Sequence, residues 1–237
     1  MNNAPETNLT IRGAADVPPR AHVTALILGA GDGLRLGLGP KAFVQLERRT
    51  LLERAVAAVR PFASEIIAGV RAADLDQARV LCGDACAVVE GGRTRQGTVD
   101  RLLAHATRPV VLLHEVARPY ASEELFAAVL AAAAAHGAAA LAYAVPVRDS
   151  LAIVAPDGTL GSPLPRGRVT SLQTPHAYRR NLLAAAHGRA AAEGWADDGT
   201  AALVVRAGFS VKLVPGSEAN VKITYQDDLP RRATPAA

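Results

Sequence analysis

The sequence is poor in the residues that mark several kinds of protein. Aromatic residues make up 4% of the 237 positions, and cysteine occurs twice, at Cys82 and Cys86. The basic residues are scattered, and without interleaved aromatics they do not form the surface of a nucleic-acid-binding protein. The cysteines have no histidine pair at zinc spacing, so we expect reduced, partly buried thiols in a cytoplasmic protein rather than a metal site or a disulfide framework.

Long hydrophobic runs are also missing. The longest apolar stretch, Leu125 to Ala135, ends at His136 and is shorter than the roughly 18 to 20 residues that a membrane-spanning helix needs. The segment Met1 to Arg20 carries two acidic residues and no apolar core, which is unlike a targeting peptide. We therefore expect no membrane span, and disordered tails at residues 1–20 and 231–237.

What remains is an ordinary globular composition, with half of the residues apolar and a fifth charged. We expect one domain over residues 21–230. The net charge of +4 and a pI near 9.4 suit small anionic ligands. Apolar runs of strand length alternate with segments of helical period, and the strands are continuously apolar, which predicts an α/β fold with a mostly parallel, doubly wound sheet. The predicted elements are strands at 23–28, 65–70, 86–90, 109–114 and 138–145, and helices at 51–60, 75–81, 94–106 and 122–136.

The alternation stops at Pro146. Residues 146–168 contain one short apolar run before Pro156-Asp157-Gly158, which predicts a β-hairpin arm that projects from the sheet. After the arm, the pattern predicts a strand at 169–173, helices at 179–193 and 198–206, a strand at 210–214 and a last apolar segment at 221–223.

A glycine-rich loop follows the first strand. The sequence LGAGDGLRLGLGPKAF has glycines at 29, 31, 33, 37 and 39, and such a loop can turn backbone N–H groups toward phosphates. Lys41 lies between Pro40 and Ala42, which excludes a P-loop. The glycine spacing also fails the dinucleotide fingerprint, and Arg71 stands near the end of the second strand where that fold needs an acidic residue.

Two cations lie within this loop, Arg35 and Lys41. Phosphoryl and nucleotidyl transfer depend on positioning and on neutralising the charge that grows on the phosphate oxygens. Arg35 and Lys41 could converge on one triphosphate to do this. The loop alone leaves open that they are ordinary solvated charges.

Five stretches in order resemble the 2-C-methyl-D-erythritol 4-phosphate cytidylyltransferase family. They are LGAGDGLRLGLGPKAF, GGRTRQGTV at 91–99, LHEVARP at 113–119, PVRDS at 146–150 and NVKIT at 220–224. The resemblance spans about residues 23 to 229. It implies a Rossmann-like nucleotidyltransferase fold, a magnesium ion, and a homodimer in which the arm reaches the partner's active site. It also implies attack of a polyol phosphate on the α-phosphate of CTP, with release of pyrophosphate.

Carried over by position, the resemblance assigns roles to individual residues. Arg35, Lys41 and Lys222 would neutralise the α-phosphate. The nucleotide would lie against Gly29, Ala30, Gly31 and Gly33 of the loop and against Gly91, Gly92, Arg93 and Thr98. A Gly-Gly turn can expose backbone groups that read a base edge, although Gly91-Gly92 could also do no more than close a strand before a helix.

The remaining assignments concern the metal and the polyol phosphate. Glu115 would contact magnesium, although the family usually has Asp there. Arg118, Ser150, Arg166 and Thr174 would contact the substrate, with Ser150 replacing the usual Thr. Arg118 could instead be a structural ion-pair partner, and Arg168 could replace Arg166.

For several residues we expect a structural role rather than a functional one. We expect His114 to be a packed residue at a strand end, and Asp197-Asp198 to be an acidic pair at a helix start rather than a second metal site. Ala219 replaces an acidic residue common in the family, and the usual final helix should be short or absent.

Two functional alternatives stay open. A ribitol 5-phosphate cytidylyltransferase of the same fold would share the loop chemistry and differ in its substrate pocket. A catalytically silent nucleotide-binding module is disfavoured because Arg35, Lys41 and Lys222 are all present. The sequence has no Gly-x-Ser-x-Gly elbow, which argues against a serine hydrolase.

Overall fold

Helices cover both faces of one central sheet, as the sequence pattern predicts. The computed structural model describes residues 17–136, 139–143, 149–197 and 199–230. Its strands are β1 Val23–Leu28, β2 Gln45–Leu46, β3 Arg49–Thr50, β4 Glu65–Val70, β5 Ala87–Glu90, β6 Val110–Glu115, β7 Ala139–Tyr143, β8 Leu151–Val154, β9 Leu160–Leu164, β10 Leu172–Arg179 and β11 Lys212–Pro215. Its α-helices are α1 Leu51–Val59, α2 Leu75–Cys82, α3 Arg95–His105, α4 Glu123–His136, α5 Arg180–Glu193 and α6 Thr200–Arg206.

The central sheet has seven strands in the order β11-β7-β10-β6-β1-β4-β5. Strand β1 is an interior strand between β6 and β4, is parallel to both, and is buried along its whole length. Its alternate side chains pack against opposite layers, with α1, α2 and α4 on one face and α3, α5 and α6 on the other. The continuous apolar strands are therefore explained by a sheet that helices cover on both sides.

Helix α1 begins at a capping box formed by Thr50 and Glu53. The Thr50 side chain accepts a hydrogen bond from Glu53 N at 3.2 Å, and the Glu53 carboxylate accepts one from Thr50 N at 2.7 Å. These two bonds satisfy backbone donors that the first turn would otherwise leave free. They fix the start of α1 directly behind the glycine-rich loop.

The strand predicted at 169–173 is wrong in its extent. Strand β10 runs from Leu172 to Arg179 and is antiparallel to both β6 and β7. Pro175 lies within it, where a proline would argue against a central strand. The sheet accommodates Pro175 because the register with β7 shifts between Gln173 and His176.

The predicted arm is present as a hairpin of β8 and β9. Its turn forms where Pro156-Asp157-Gly158 predicts it, since Asp157 Oδ1 accepts hydrogen bonds from the Thr159 amide and hydroxyl at 3.0 and 2.7 Å. Gly158 takes a φ of 82°, which few other residues tolerate. The predicted arm residues 146–148 lie outside the described residues.

The ends of the described chain differ from the prediction in detail. Residues 17–20 belonged to the predicted tail, yet Arg20 Nε donates to Ala63 O at 3.0 Å and Val17 packs against the core. The helix predicted from 198 begins at Thr200, and Asp198 is outside the described residues. Residues 221–223 form no strand, and a short 3-10 turn, Gln226–Asp228, stands near the end of the described chain.

Candidate active site

The glycine-rich loop leaves the carboxyl end of β1 and folds back on itself. Gly29 N donates to Gly69 O at 2.8 Å, which ties the loop to the end of β4. Gly33 has a φ of 69°, and a Cβ there would lie 2.0 Å from Gly39 O. Only glycine fits this close return of the chain. The return brings Lys41 back beside the start of the loop, where Lys41 Cγ lies 3.4 Å from the position of a Gly33 Cβ.

The turn between β5 and α3 forms a second side of the site. The Thr94 side chain caps α3 by accepting from Gly97 N at 3.0 Å. The Thr98 hydroxyl accepts from Gly92 N at 3.1 Å and donates to Thr94 O at 2.9 Å. Gly91 N donates to Val70 O at 2.7 Å. The N–H groups of Gly91 and Gly92 are therefore used inside the fold, which leaves the carbonyl groups of this turn for any contact with a base.

The carbonyl groups of that turn can accept further hydrogen bonds. Gly91 O accepts one hydrogen bond, from Arg101 Nη1 at 3.1 Å, and a carbonyl oxygen has a second lone pair. The N-terminus of α3 also borders the site and presents the positive end of the helix dipole. Base and phosphate recognition at this turn would rest on these groups.

Glu115 lies at the end of β6, between two cations. Its Oε1 accepts from Arg95 Nε at 3.0 Å and its Oε2 is 2.8 Å from Lys222 Nζ. Burial alone would raise the pKa of this carboxyl group, but Lys222 and Arg95 hold the pKa near 2. Glu115 is therefore ionised at neutral pH. We call Glu115, Arg95 and Lys222 the strand-end wall, and residues 29–41 the loop wall.

Lys41 joins the two walls. Its Nζ donates to Ile223 O at 2.7 Å, so the lysine lies beside the chain that carries Lys222. Burial lowers the pKa of Lys41, and the positive charges of Lys222 and Arg35 lower it further. Three cations therefore repel one another across a short distance in this structure, and an anion between them would relieve that repulsion.

The two walls and the turn between β5 and α3 border a cavity of about 450 Å³, a size typical of small-molecule sites. Its lining carries five cationic and two acidic side chains, a net charge of +3. The residues that line it are Leu28, Gly29, Ala30, Gly31, Asp32, Gly33, Leu34, Arg35, Lys41, Gly92, Arg93, Thr94, Arg95, Thr98, Glu115, Val116, Ala117 and Lys222. All three predicted catalytic residues are among them.

Some predicted substrate residues lie outside this cavity. Thr174 is buried, and its hydroxyl accepts from Glu115 N at 3.2 Å, so it supports the end of β6 instead of lining the cavity. Arg118 Nη1 donates to Asn220 O at 2.7 Å, which anchors the chain just before Lys222. Ser150 and Arg166 flank the hairpin and are exposed in the single chain.

The structure also locates the side chains for which the sequence predicts a packing role. His114 is a buried strand-end residue whose ring meets the edge of Phe126, with the ring centroids 4.9 Å apart. Cys82 and Cys86 are free thiols. Among the described residues, no group of three or more His, Cys, Asp or Glu side chains could hold a metal ion, and no helix is long and apolar enough to cross a membrane.

Sequence reasoning missed Arg95 and Thr200. Arg95 donates to Glu115 and also, through Nη1, to Thr200 Oγ1 at 2.6 Å. Arg95 lies in the GGRTRQGTV motif in the first turn of a predicted helix, so its position near the other motifs could have been found. Thr200 lies 105 residues further on, and no local pattern marks it.

A doubly wound sheet with a cationic, glycine-walled cavity at the carboxyl ends of its strands is the arrangement of a nucleotide-binding α/β protein. The family model for 2-C-methyl-D-erythritol 4-phosphate cytidylyltransferase matches residues 23–234. The chain belongs to this family.

Individual relatives agree with this assignment. A 2-C-methyl-D-erythritol 4-phosphate cytidylyltransferase of Deinococcus radiodurans is 44% identical over 209 residues, which cover 88% of this chain and 87% of the relative. The crystal structure of the Thermus thermophilus enzyme of that name has a TM-score of 0.73 at 37% identity and covers 88% of this chain and 95% of its own. A 4-diphosphocytidyl-2C-methyl-D-erythritol synthase from Anaerococcus prevotii has a TM-score of 0.77 at 27% identity and covers 88% and 93%.

Proposed function

We propose that this protein transfers CMP from CTP to 2-C-methyl-D-erythritol 4-phosphate in the cytoplasm, as a step of the non-mevalonate isoprenoid pathway. A phosphate oxygen of the polyol phosphate forms a bond to the α-phosphorus of CTP. The bond from that phosphorus to the bridging oxygen breaks, and pyrophosphate leaves with the electron pair. The products are 4-diphosphocytidyl-2-C-methyl-D-erythritol and pyrophosphate.

The observation that carries this proposal is the convergence of Lys41 and Lys222 on one cavity. They come from opposite ends of the chain, yet Lys41 binds the carbonyl of the residue after Lys222. Together with Arg35 they would neutralise the negative charge that grows on the α-phosphate oxygens in the transition state. Gly29, Ala30, Gly31 and Gly33 would hold the triphosphate.

The proposal extends to magnesium, which shields the triphosphate charge when it is bound. The described lining of the cavity holds two carboxylates, Asp32 and Glu115, which do not make a protein cage for this ion, and Ala219 adds no third one. The site fits magnesium that is held mainly by triphosphate oxygens and water, as this ion prefers. Glu115 would contact its hydration shell, since both carboxylate oxygens already bind cations.

The test is pyrophosphate release by the purified protein with CTP and magnesium. We expect release with 2-C-methyl-D-erythritol 4-phosphate and little with ribitol 5-phosphate. The reverse pattern would transfer the assignment to a ribitol 5-phosphate cytidylyltransferase, and no release with either would favour a silent nucleotide-binding module. Replacing CTP by ATP, GTP or UTP tests the base.

We also propose a homodimer in which the hairpin of one subunit completes the cavity of the other. The hairpin exposes Val154 and Leu160 to 72% and 81%, and an isolated two-stranded hairpin is marginally stable in water. A partner surface would cover these side chains. Ser150 and Arg166 would then approach the polyol phosphate in the partner's cavity.

Subunit complementation tests the arm. Lys41→Ala and Arg166→Ala should each inactivate the homodimer, whereas a mixture exchanged between them should regain activity. In the mixed dimer, the cavity with an intact Lys41 receives an intact arm from the other subunit. Arg168→Ala in place of Arg166→Ala shows which arginine acts. No recovery after proven subunit exchange would contradict arm exchange.

A further inference from the structure

A short segment near the end of the described chain contacts the loop wall at three successive places. Lys41 Nζ donates to Ile223 O at 2.7 Å. The guanidinium carbon of Arg35 lies 5.9 Å from the centroid of the Tyr225 ring. Gln226 Nε2 donates to Leu36 O at 3.3 Å. We call residues 222–228 the C-terminal segment.

One hydrogen bond to the rest of the fold and two bonds within the segment itself hold it in place, and none of these bonds involves the loop. Ile223 is fully buried, and its N–H donates to Ala117 O at 2.8 Å. The Asp228 carboxylate accepts from the amides of Thr224 and Tyr225, both at 2.8 Å. These bonds keep the pKa of Asp228 below its usual value. The carboxylate is therefore ionised at neutral pH and holds the turn. The segment can therefore serve as a fixed support for a loop that is rich in glycine.

Arg35 needs such a support. It is exposed, and glycines stand two positions away on both sides, at Gly33 and Gly37. Within the described residues, no carboxylate pairs with its guanidinium. Lys41 and Lys222, by contrast, each have a bonded partner at 2.7 or 2.8 Å. The ring of Tyr225 is the group that lies against the Arg35 guanidinium, at a distance where cation–π attraction acts.

We propose that Tyr225 is a positioning residue for Arg35, with Gln226 fixing the backbone of the same loop at Leu36. The aromatic face holds the guanidinium beside the cavity. The side-chain amide of Gln226 fixes the loop backbone that carries Arg35. The inference rests on the proposed role of Arg35 at the α-phosphate. It adds a requirement for an aromatic ring at residue 225 during the reaction itself.

The first test is a ring series at Tyr225, read as kcat with saturating CTP and polyol phosphate. Tyr225→Leu should lower kcat about two- to five-fold, the size expected of an exposed cation–π contact. Tyr225→Phe should stay close to the natural protein, and Tyr225→Trp should equal or exceed it, because indole binds cations best. The side chain is 55% exposed, so the thermal midpoint should be the same throughout. Equal losses for Phe and Leu would overturn the proposal.

The second test is a double-mutant cycle with Arg35→Ala. If Tyr225 acts through Arg35, Tyr225→Leu should cost nothing more in the Arg35→Ala background. The same fold-loss in both backgrounds would overturn the inference. A normal kcat for Arg35→Ala itself would remove Arg35 from the proposed mechanism, and the inference with it. A large loss for Arg35→Ala with none for Tyr225→Leu would overturn the inference and leave the proposed function standing.

Gln226 gives an independent check on the same loop. Gln226→Glu replaces the donor to Leu36 O by a second acceptor, while Gln226→Ala only removes it. We expect the Glu variant to have the lower kcat because the carboxylate repels the Leu36 carbonyl. Identical, natural rates in both variants would show that the loop needs no fixing at Leu36, against the proposal.

Discussion

The two walls of the cavity hold their cations in different ways. In the strand-end wall, Lys222 and Arg95 share the buried carboxylate of Glu115, and Thr200 holds Arg95 from the other side. In the loop wall, Arg35 is exposed and lies against one aromatic ring. The first arrangement fixes its cations by ion pairs to a largely buried carboxylate, whereas the second holds an exposed cation against an aromatic ring. Each wall therefore depends on a different partner, which is Glu115 for Lys222 and Arg95, and Tyr225 for Arg35.

The largest effect is expected from the substitution of Lys41, the lysine that contacts both walls. Lys41→Ala should lower kcat about 100- to 1000-fold, the usual loss of one preorganised group that stabilises transition-state charge. Lys212→Ala, which removes an exposed lysine of β11, is the matched control. Steady-state rates with circular dichroism as a folding check decide the matter. A rate close to normal would place Lys41 outside the mechanism.

Breaking the strand-end wall should cost less than losing Lys41. Glu115→Gln keeps the shape but removes the charge that orients Lys222 and Arg95, and we expect kcat to fall about 10- to 100-fold, as for other groups that orient a catalytic group. Glu115→Asp should lie between, since the shorter side chain cannot reach both cations at these distances. Single-turnover rates measure this. An undiminished rate for Glu115→Gln would mean that the carboxylate does not position Lys222.

The contact between the β5–α3 turn and the loop wall can be tested by stability. A Cβ on Gly91 would lie 2.4 Å from Ala30 Cβ, so Gly91→Ala should cost about 1 to 3 kcal/mol through overpacking. Gly188→Ala is the control, because nothing lies within 4 Å of its Cβ position in α5, and it should stabilise by about 0.5 to 1 kcal/mol. Urea unfolding gives both values. Equal changes in the free energy of unfolding would mean that the β5–α3 turn shifts to accommodate the added methyl group.

The smallest expected effect concerns the support behind the strand-end wall. Burial lowers the pKa of His176 in β10 to about 3, so this imidazole is neutral in the fold and takes up a proton only on unfolding near pH 6. The free energy of unfolding should therefore fall by about 0.7 kcal/mol from this group between pH 7 and pH 6. His176→Gln should flatten that part of the profile in urea titrations. An unchanged pH slope would show that His176 titrates equally in the folded and unfolded states, against the lowered pKa.

Much of the fold could be predicted because its elements obey local rules. The apolar run of β1, the capping box at Thr50 and the turn at Asp157 each carry their own signal. Strand β10 escaped because its sequence, LQTPHAYR, mixes polar residues with a proline, and its burial depends on neighbours that local sequence does not show. The register shift that admits Pro175 is a property of the pairing with β7.

The sequence predicts which residues form the site better than it predicts the contacts between them. The motifs gathered Arg35, Lys41, Glu115 and Lys222 in one place, and the cavity contains all four. They could not show that Arg95 shares Glu115 or that the Gly91 and Gly92 amides are already used. The bonds of Arg95 and Gly91 join segments far apart in the chain, such as Arg95 to Thr200, and the bond from Gly92 N to Thr98 depends on the exact geometry of the turn.

The bond from Lys41 to Ile223 O also bears on how the protein is made. A ribosome synthesises the loop wall early and residues 222–228 late. Until that late segment has emerged and packed against Ala117, Lys41 has no anchor, Glu115 lacks one of its two cations and Arg35 faces no ring. An incomplete copy released from the ribosome before this point would therefore bear a glycine loop and a fully formed β1 but no working arrangement of charges.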